Sequence, residues 1–129
     1  MEVPLRAALL DWLTADTTLV DQLNAIVEEA PLRASLPWLA IAASASSDWS
    51  TKTAAGREVR VALELHCRGD RPDAAAALVA AIEARIEAMP REQSGLAIVT
   101  IRFLRARAQQ RSESRRAILL EYGFRLLSQ

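Results

Sequence analysis

The chain has little of what enzymes are built from. Its 129 residues include one cysteine and one histidine. A lone Cys67 excludes an internal disulfide and a cysteine-based metal site, and reads as a small core hydrophobe. Serine and cysteine nucleophiles need a base, usually histidine. His66 and Cys67 are neighbours in sequence, so on a regular strand they point to opposite faces and cannot meet. Glu64 shares a face with His66, and the pair reads more simply as a surface ion pair than as an acid–base couple. The four glycines, Gly56, Gly69, Gly95 and Gly123, are isolated, which leaves no phosphate-cradling loop. Metal-ligand spacing is missing, and Glu28-Glu29 has no second carboxylate cluster to work with. The expectation is a protein that is not an enzyme, with no catalytic residue, no cofactor and no metal.

Long apolar runs are missing too. None approaches the ~20 residues of a membrane span, and no basic stretch followed by an apolar one opens the sequence. A soluble chain, cytosolic at synthesis and without membrane contact, is expected. Hydrophobic content is 51%, much of it alanine, which suffices for a single domain over residues 1–129. A domain of that size buries roughly two thirds of its unfolded surface.

Net charge is zero, yet its distribution is uneven. Residues 1–50 set Arg6 and Arg33 against Glu2, Asp11, Asp16, Asp21, Glu28, Glu29 and Asp48, a net of −5, and the remainder carries +5. Six arginines and one acid, Glu113, lie between Arg102 and Arg116. A polarised neutral protein can stack head to tail on its own copies or meet two partners. Two solvated charged faces would also account for it.

What is present is a strictly alternating stretch. Val59, Val61, Leu63, Leu65 and Cys67 point one way, and Glu58, Arg60, Ala62, Glu64 and His66 the other. Period-2 alternation of that length is a strand with one face on a core. Before it, residues 3–14 read as a helix with Pro4 in its first turn and a stripe of Leu5, Leu9, Trp12 and Leu13, with Trp12 in the core. Asp16 caps a short second helical segment. Ala25 to Ala30 reads as a short strand, Pro31 and Pro37 bracket a loop, Trp38 to Ala45 reads as a strand buried on both faces or a small-residue edge, and Ser44 to Ser50 as turn chemistry.

After the alternating strand, Gly69-Asp70-Arg71-Pro72 starts a long helix with Asp70 as its cap. Leu78, Ile82, Ile86 and Met89 form its stripe, Glu83, Arg85 and Glu87 sit on its outer side, and Pro90 stops it. Residues 97–107 set Val99, Ile101 and Phe103 against Thr100, Arg102 and Leu104, and 116–127 alternate likewise. With Gln109 to Ser114 between them, the two form an antiparallel hairpin with an arginine-rich tip. The predicted fold is α+β, a mainly antiparallel sheet of about four to five strands with two main helices packed on one face. The tip could neutralise a few phosphates. A neutral domain with no aromatics between Arg105 and Arg116, however, is unlike a sequence-specific binder.

Several of these stretches occur together in a known family. They are Leu36-Pro37-Trp38 leading into a strand, and the loop Asp48-Trp49-Ser50-Thr51-Lys52-Thr53. A glycine then precedes the alternating strand that ends His66-Cys67-Arg68-Gly69, and an alanine-rich helix follows with Ala81-Ile82-Glu83-Ala84-Arg85-Ile86. The chain resembles the small tail-completion or tail-terminator proteins of long-tailed phages and phage-derived gene transfer agents. The likeness follows element order over nearly the whole chain and is sharpest between Leu36 and Pro90. It implies a structural virion protein, typically a hexameric ring that caps the tail tube, ends its polymerisation and joins it to the head connector. Implied partners are copies of itself, the tail-tube protein, the head-completion or connector protein, and double-stranded DNA passing through the lumen without sequence specificity. The implied location is the head–tail junction of a virion or gene transfer agent particle assembled in the bacterial cytoplasm.

The resemblance also suggests roles. Asp48, Trp49 and Lys52 would belong to a loop that orders against a neighbouring subunit or the tube, with Trp49 its anchor. Arg105, Arg107, Arg111, Arg115 and Arg116 would form a hairpin facing connector, tube or DNA. Relatives often carry a tighter Asp/Gly turn there. Two alternatives stand beside these: Trp49 folded over its own core edge, and a cytosolic α+β regulatory or nucleic-acid-binding module.

Overall fold

The alternating stretch is a strand, β3 (Gly56–Arg68), one of the two central strands of a sheet that has six strands among the described residues. The computed structural model describes residues 1–29, 33–111 and 114–129. In chain order the other elements are α1 (Glu2–Thr14), α2 (Thr17–Gln22), β1 (Ala25–Glu28), β2 (Trp38–Asp48), α3 (Pro72–Glu87), β4 (Glu92–Gln93), β5 (Leu96–Gln110) and β6 (Arg115–Ser128). The sheet runs β1-β2-β3-β6-β5-β4. β3 pairs antiparallel with β6 without a break, from Gly56 opposite Leu127 to Arg68 opposite Arg115.

The architecture is α+β as the pattern predicts, with two differences in the sheet. The described residues form six strands, since a two-residue β4 is too short to leave a pattern, and the sheet is mixed because β1 lies parallel to β2. Ala30 and Pro31, assigned to the end of β1 and the loop after it, fall outside the described residues, as do Ser112 and Glu113 at the hairpin tip.

One face of the sheet carries the core. Val59, Val61, Leu63 and Leu65 of β3 lie beside Ile118, Leu120, Tyr122, Phe124 and Leu126 of β6, and all are buried. Leu5, Leu9 and Leu13 of α1 and Leu78, Ile82 and Ile86 of α3 close over them. Each such leucine or isoleucine contributes about 1.5–3 kcal/mol by leaving water. Asp16 caps α2 as expected, accepting from the Thr18 and Leu19 amides at 3.0 and 3.3 Å.

Several expectations are corrected. β2 continues through Ser44 to Asp48, where turn chemistry was expected, because Ser44 and Ser46 donate to the Glu2 carboxylate on the helix side. Arg71, not Asp70, occupies the cap of α3, and no side chain caps that helix. Trp12 is half-buried and Arg85 is not on an outer, solvated side. The Trp12 indole donates to the Arg85 carbonyl at 2.6 Å, and the Arg85 guanidinium lies 3.3 Å over the ring and donates to the Trp12 carbonyl. This clamp ties α1 to α3. His66 lies on the outer sheet face but is only 6% exposed, since Trp38 stacks on it at 4.0 Å.

Two irregularities in β5, between Ile98 and Thr100 and between Phe103 and Arg105, break its simple alternation. Val99 falls at the first of these and is 45% exposed, whereas Phe103 keeps the core-side position opposite Tyr122, in edge contact with its ring, and is still 42% exposed.

The Tyr122 hydroxyl is buried and has no hydrogen-bond partner among the described residues, and burial pushes the phenol well above its ordinary value. An unpaired buried hydroxyl costs about 1–3 kcal/mol. Tyr122→Phe keeps the ring contacts with Phe103 and Phe124. It is expected to stabilise the fold by about 1 kcal/mol, read as a higher thermal midpoint. A lower midpoint would show that the hydroxyl is satisfied in solution.

Candidate functional site

The helices cover one side of the sheet, and no described element covers the other. Residues paired across a ladder share a face, so the register fixes what the uncovered side presents. It carries Arg60 and Arg68 of β3, Arg102, Arg105 and Arg107 of β5, and Arg115 and Arg125 of β6. Against these seven stand Glu58, Glu64, Glu121 and, at the β4 corner, Glu92. The face is basic although the chain is neutral.

Ion pairs tie part of it down. Arg105 Nε and Nη2 donate to both carboxylate oxygens of Glu121 at 3.0 Å, a forked pair. Arg125 Nε sits 3.4 Å from Glu58 and Arg111 Nη2 3.7 Å from Glu64. Arg60, Arg102 and Arg107 have no carboxylate within ion-pair distance among the described residues. Arg60 and Arg102 flank Gly123 from either side. With no side chain at that position, a depression of about 370 Å³ opens between Arg60, Arg102, Arg125 and Glu58. Sequence reasoning did not single out these arginines. The available signal was a glycine inside a strand.

The loop between β2 and β3 is tied by its own polar groups. The Trp49 amide donates to the Gly56 carbonyl at 2.9 Å, and the Gly56 amide donates to Ser50 Oγ at 3.1 Å. Ser50 in turn donates to Asp48 at 2.7 Å, and Thr51 Oγ1 accepts from the Thr53 and Ala54 amides. A Cβ at position 56 would press on the Trp49 and Leu126 carbonyl oxygens, so glycine is required by close approach. Asp48 ends β2, Lys52 is exposed at the turn, and the half-buried Trp49 ring has Arg125 5.4 Å above it.

Of the hairpin arginines, Arg105, Arg107 and Arg115 share the uncovered face, and Arg111 reaches it through Glu64. Arg116 is on the helix side, opposite Cys67. The Trp49 loop and the hairpin tip lie at opposite ends of β3, about 40 Å apart for a 13-residue strand. They are two sites, not one.

His66 and Cys67 point to opposite faces, as the alternation requires. Burial holds the imidazole below its ordinary value, Glu64 opposing this and Arg115 and Arg111 adding to it, so His66 is neutral at pH 7. Burial also pushes the Cys67 thiol up, away from a reactive thiolate. Among the described residues no group of three or more His, Cys, Asp or Glu is placed to hold a metal, and no helix is long and apolar enough to cross a membrane.

The forked Arg105 contact holds the Glu121 carboxyl below its usual range. Arg105→Ala is therefore expected to raise the Glu121 titration midpoint, followed by the side-chain carboxyl carbon in an NMR pH series. A midpoint that stays put would mean the pair is not formed in solution.

No curated protein matches the sequence. Of the solved structures that match, a chain from the virion of a native gene transfer agent particle superposes with a TM-score of 0.82 at 24% identity, covering 98% of this chain and 96% of that one. At that identity the likeness is one of fold. The family described as "Tail completion protein gp17" matches residues 7–125, which takes in most of the core, the Trp49 loop and the hairpin up to Arg125. The chain belongs to the tail completion protein gp17 family.

Proposed function

We propose that this chain forms the ring that closes the tail tube at the head–tail junction, ends tube polymerisation there and joins the tail to the head connector. The observation that carries the reading, beside family membership, is the uncovered sheet face. Seven arginines and the edge of Trp49 lie on a surface that no part of the described chain covers. A tail protein buries such a surface against other chains. Its partners are copies of itself in a ring, typically hexameric, together with the tail-tube protein and the head-completion or connector protein. Double-stranded DNA crosses the lumen, held by charge without base readout. The particle at that junction, virion or gene transfer agent, is where the protein resides. The fold shared with a chain of a gene transfer agent virion supports this reading.

Asp48, Trp49 and Lys52 form the contact at one end of the sheet, and Arg105, Arg107, Arg111 and Arg115 the contact at the other. Trp49 is the anchor, since an aromatic ring that a partner buries completely dominates interface energetics.

The test is polymerisation of the purified tail-tube protein with and without this chain, viewed by electron microscopy. Short tubes carrying a ring at one end are expected. Tubes of unchanged length with bare ends would contradict the reading. Trp49→Ala is expected to leave the monomer folded and to raise the concentration needed for capping at least about tenfold. A lowered monomer midpoint with unchanged capping would instead assign Trp49 to its own core edge.

A further inference from the structure

We infer that the proposed ring is closed by the two edges of the sheet, the acidic α2–β1 edge of one copy against the arginine-bearing β5 edge of the next. This rests on the ring reading above and assigns its subunit contact. Strand order puts β1 at one edge and β5, with only the two-residue β4 beyond it, at the other. From Asp16 to Glu29 the chain has four acids, Asp16, Asp21, Glu28 and Glu29, and no base. From Leu96 to Arg111 it has four arginines, Arg102, Arg105, Arg107 and Arg111, and no acid. The excesses are equal and opposite.

They cannot neutralise each other within one molecule. Four strand spacings separate β1 from β5, about 19 Å across the sheet. Attraction between the edges is therefore satisfied only between molecules. Because the two surfaces differ, the contact is heterologous, and such contacts close into a ring when the rotation per copy allows.

Some of these charges are already paired at home: Asp16 with Arg85, Glu28 with Arg6, Arg105 with Glu121 and Arg111 with Glu64. Asp21 and Glu29 on one edge, and Arg102 and Arg107 on the other, have no such partner among the described residues.

The backbone points the same way. β4 engages only Leu96 and Ala97, so β5 offers an open ladder from Val99 to Gln110 among the described residues. A long open edge is a template for a further chain. Val99 and Phe103 lie exposed on it, and Val20 of α2 is 44% exposed on the acidic side. Both edges thus combine apolar surface with unpaired charge of opposite sign.

The test is a charge swap. Asp21→Lys/Glu29→Lys makes the charges left unpaired at home basic on both edges, and Arg102→Glu/Arg107→Glu makes them acidic on both. Each double variant, checked for folding by circular dichroism, is compared with the wild type by light scattering. All are measured at high concentration and low salt, alone and with short tail tubes. The wild type is expected to assemble and each variant alone to remain monomeric. A one-to-one mixture is expected to recover the oligomer, because alternating copies place opposite charges at every contact of an even-membered ring. Variants that assemble alone as the wild type does, or a mixture of folded variants that stays monomeric, would overturn the edge contact and leave tube capping standing. Reversed variants that still form rings but no longer bind tubes would give these edges to the tube protein and also overturn it. A wild type that stays monomeric in both settings would overturn this inference and the capping reading together.

Discussion

The unbroken antiparallel register between Gly56–Arg68 and Arg115–Leu127 decides which side chains reach the helices and which do not. A slip of β6 by one residue against β3 would turn Leu120 and Phe124 outward and bring Glu121 and Arg125 onto the core. The core and the arginine face are therefore set by one constraint. Gly56 marks one end of that register, packed against the Trp49 carbonyl, and Gly69 the other, where its amide donates to the Ser114 carbonyl. The Arg85–Trp12 clamp then fixes α1 against α3 over the finished core face.

This division of labour suits a protein whose work is to be assembled. One face supplies the fold's own stability. The other holds charge in forked or near-contact ion pairs, Arg105 with Glu121 and Arg125 with Glu58, which keep several arginines oriented without neutralising the surface. Exposed pairs of this kind add little to stability. Their value lies in fixing the geometry that a partner meets.

Where the side-chain period was regular, the sequence was legible. Leu5, Leu9 and Leu13, the α3 stripe and the inward residues of β3 and β6 all repeat at the spacing of their element, and all are buried. The irregular features left weaker traces. An extra residue in β5 near Val99 and another near Leu104 shift the register, and no single residue type announces a bulge. β4 is held by two residues. The burial of His66 depends on Trp38 from a different strand, a contact that local patterning does not carry. The arginines around Gly123 converge from three strands, so their neighbourhood follows from pairing rather than from sequence distance. The hairpin arginines were legible as a cluster, but the side each faces was not, and Arg116 proves to lie apart from the others.

The most direct test of the account is amide hydrogen exchange on the isolated chain and on the chain bound to tail tubes. The account predicts slowed exchange along the open edge of β5, Val99 to Gln110, and in the Trp49–Thr53 loop, with α1 and α3 unchanged. Slowed exchange confined to α1 and α3, with β5 and the loop unaffected, would contradict it and make the helix layer the surface of assembly.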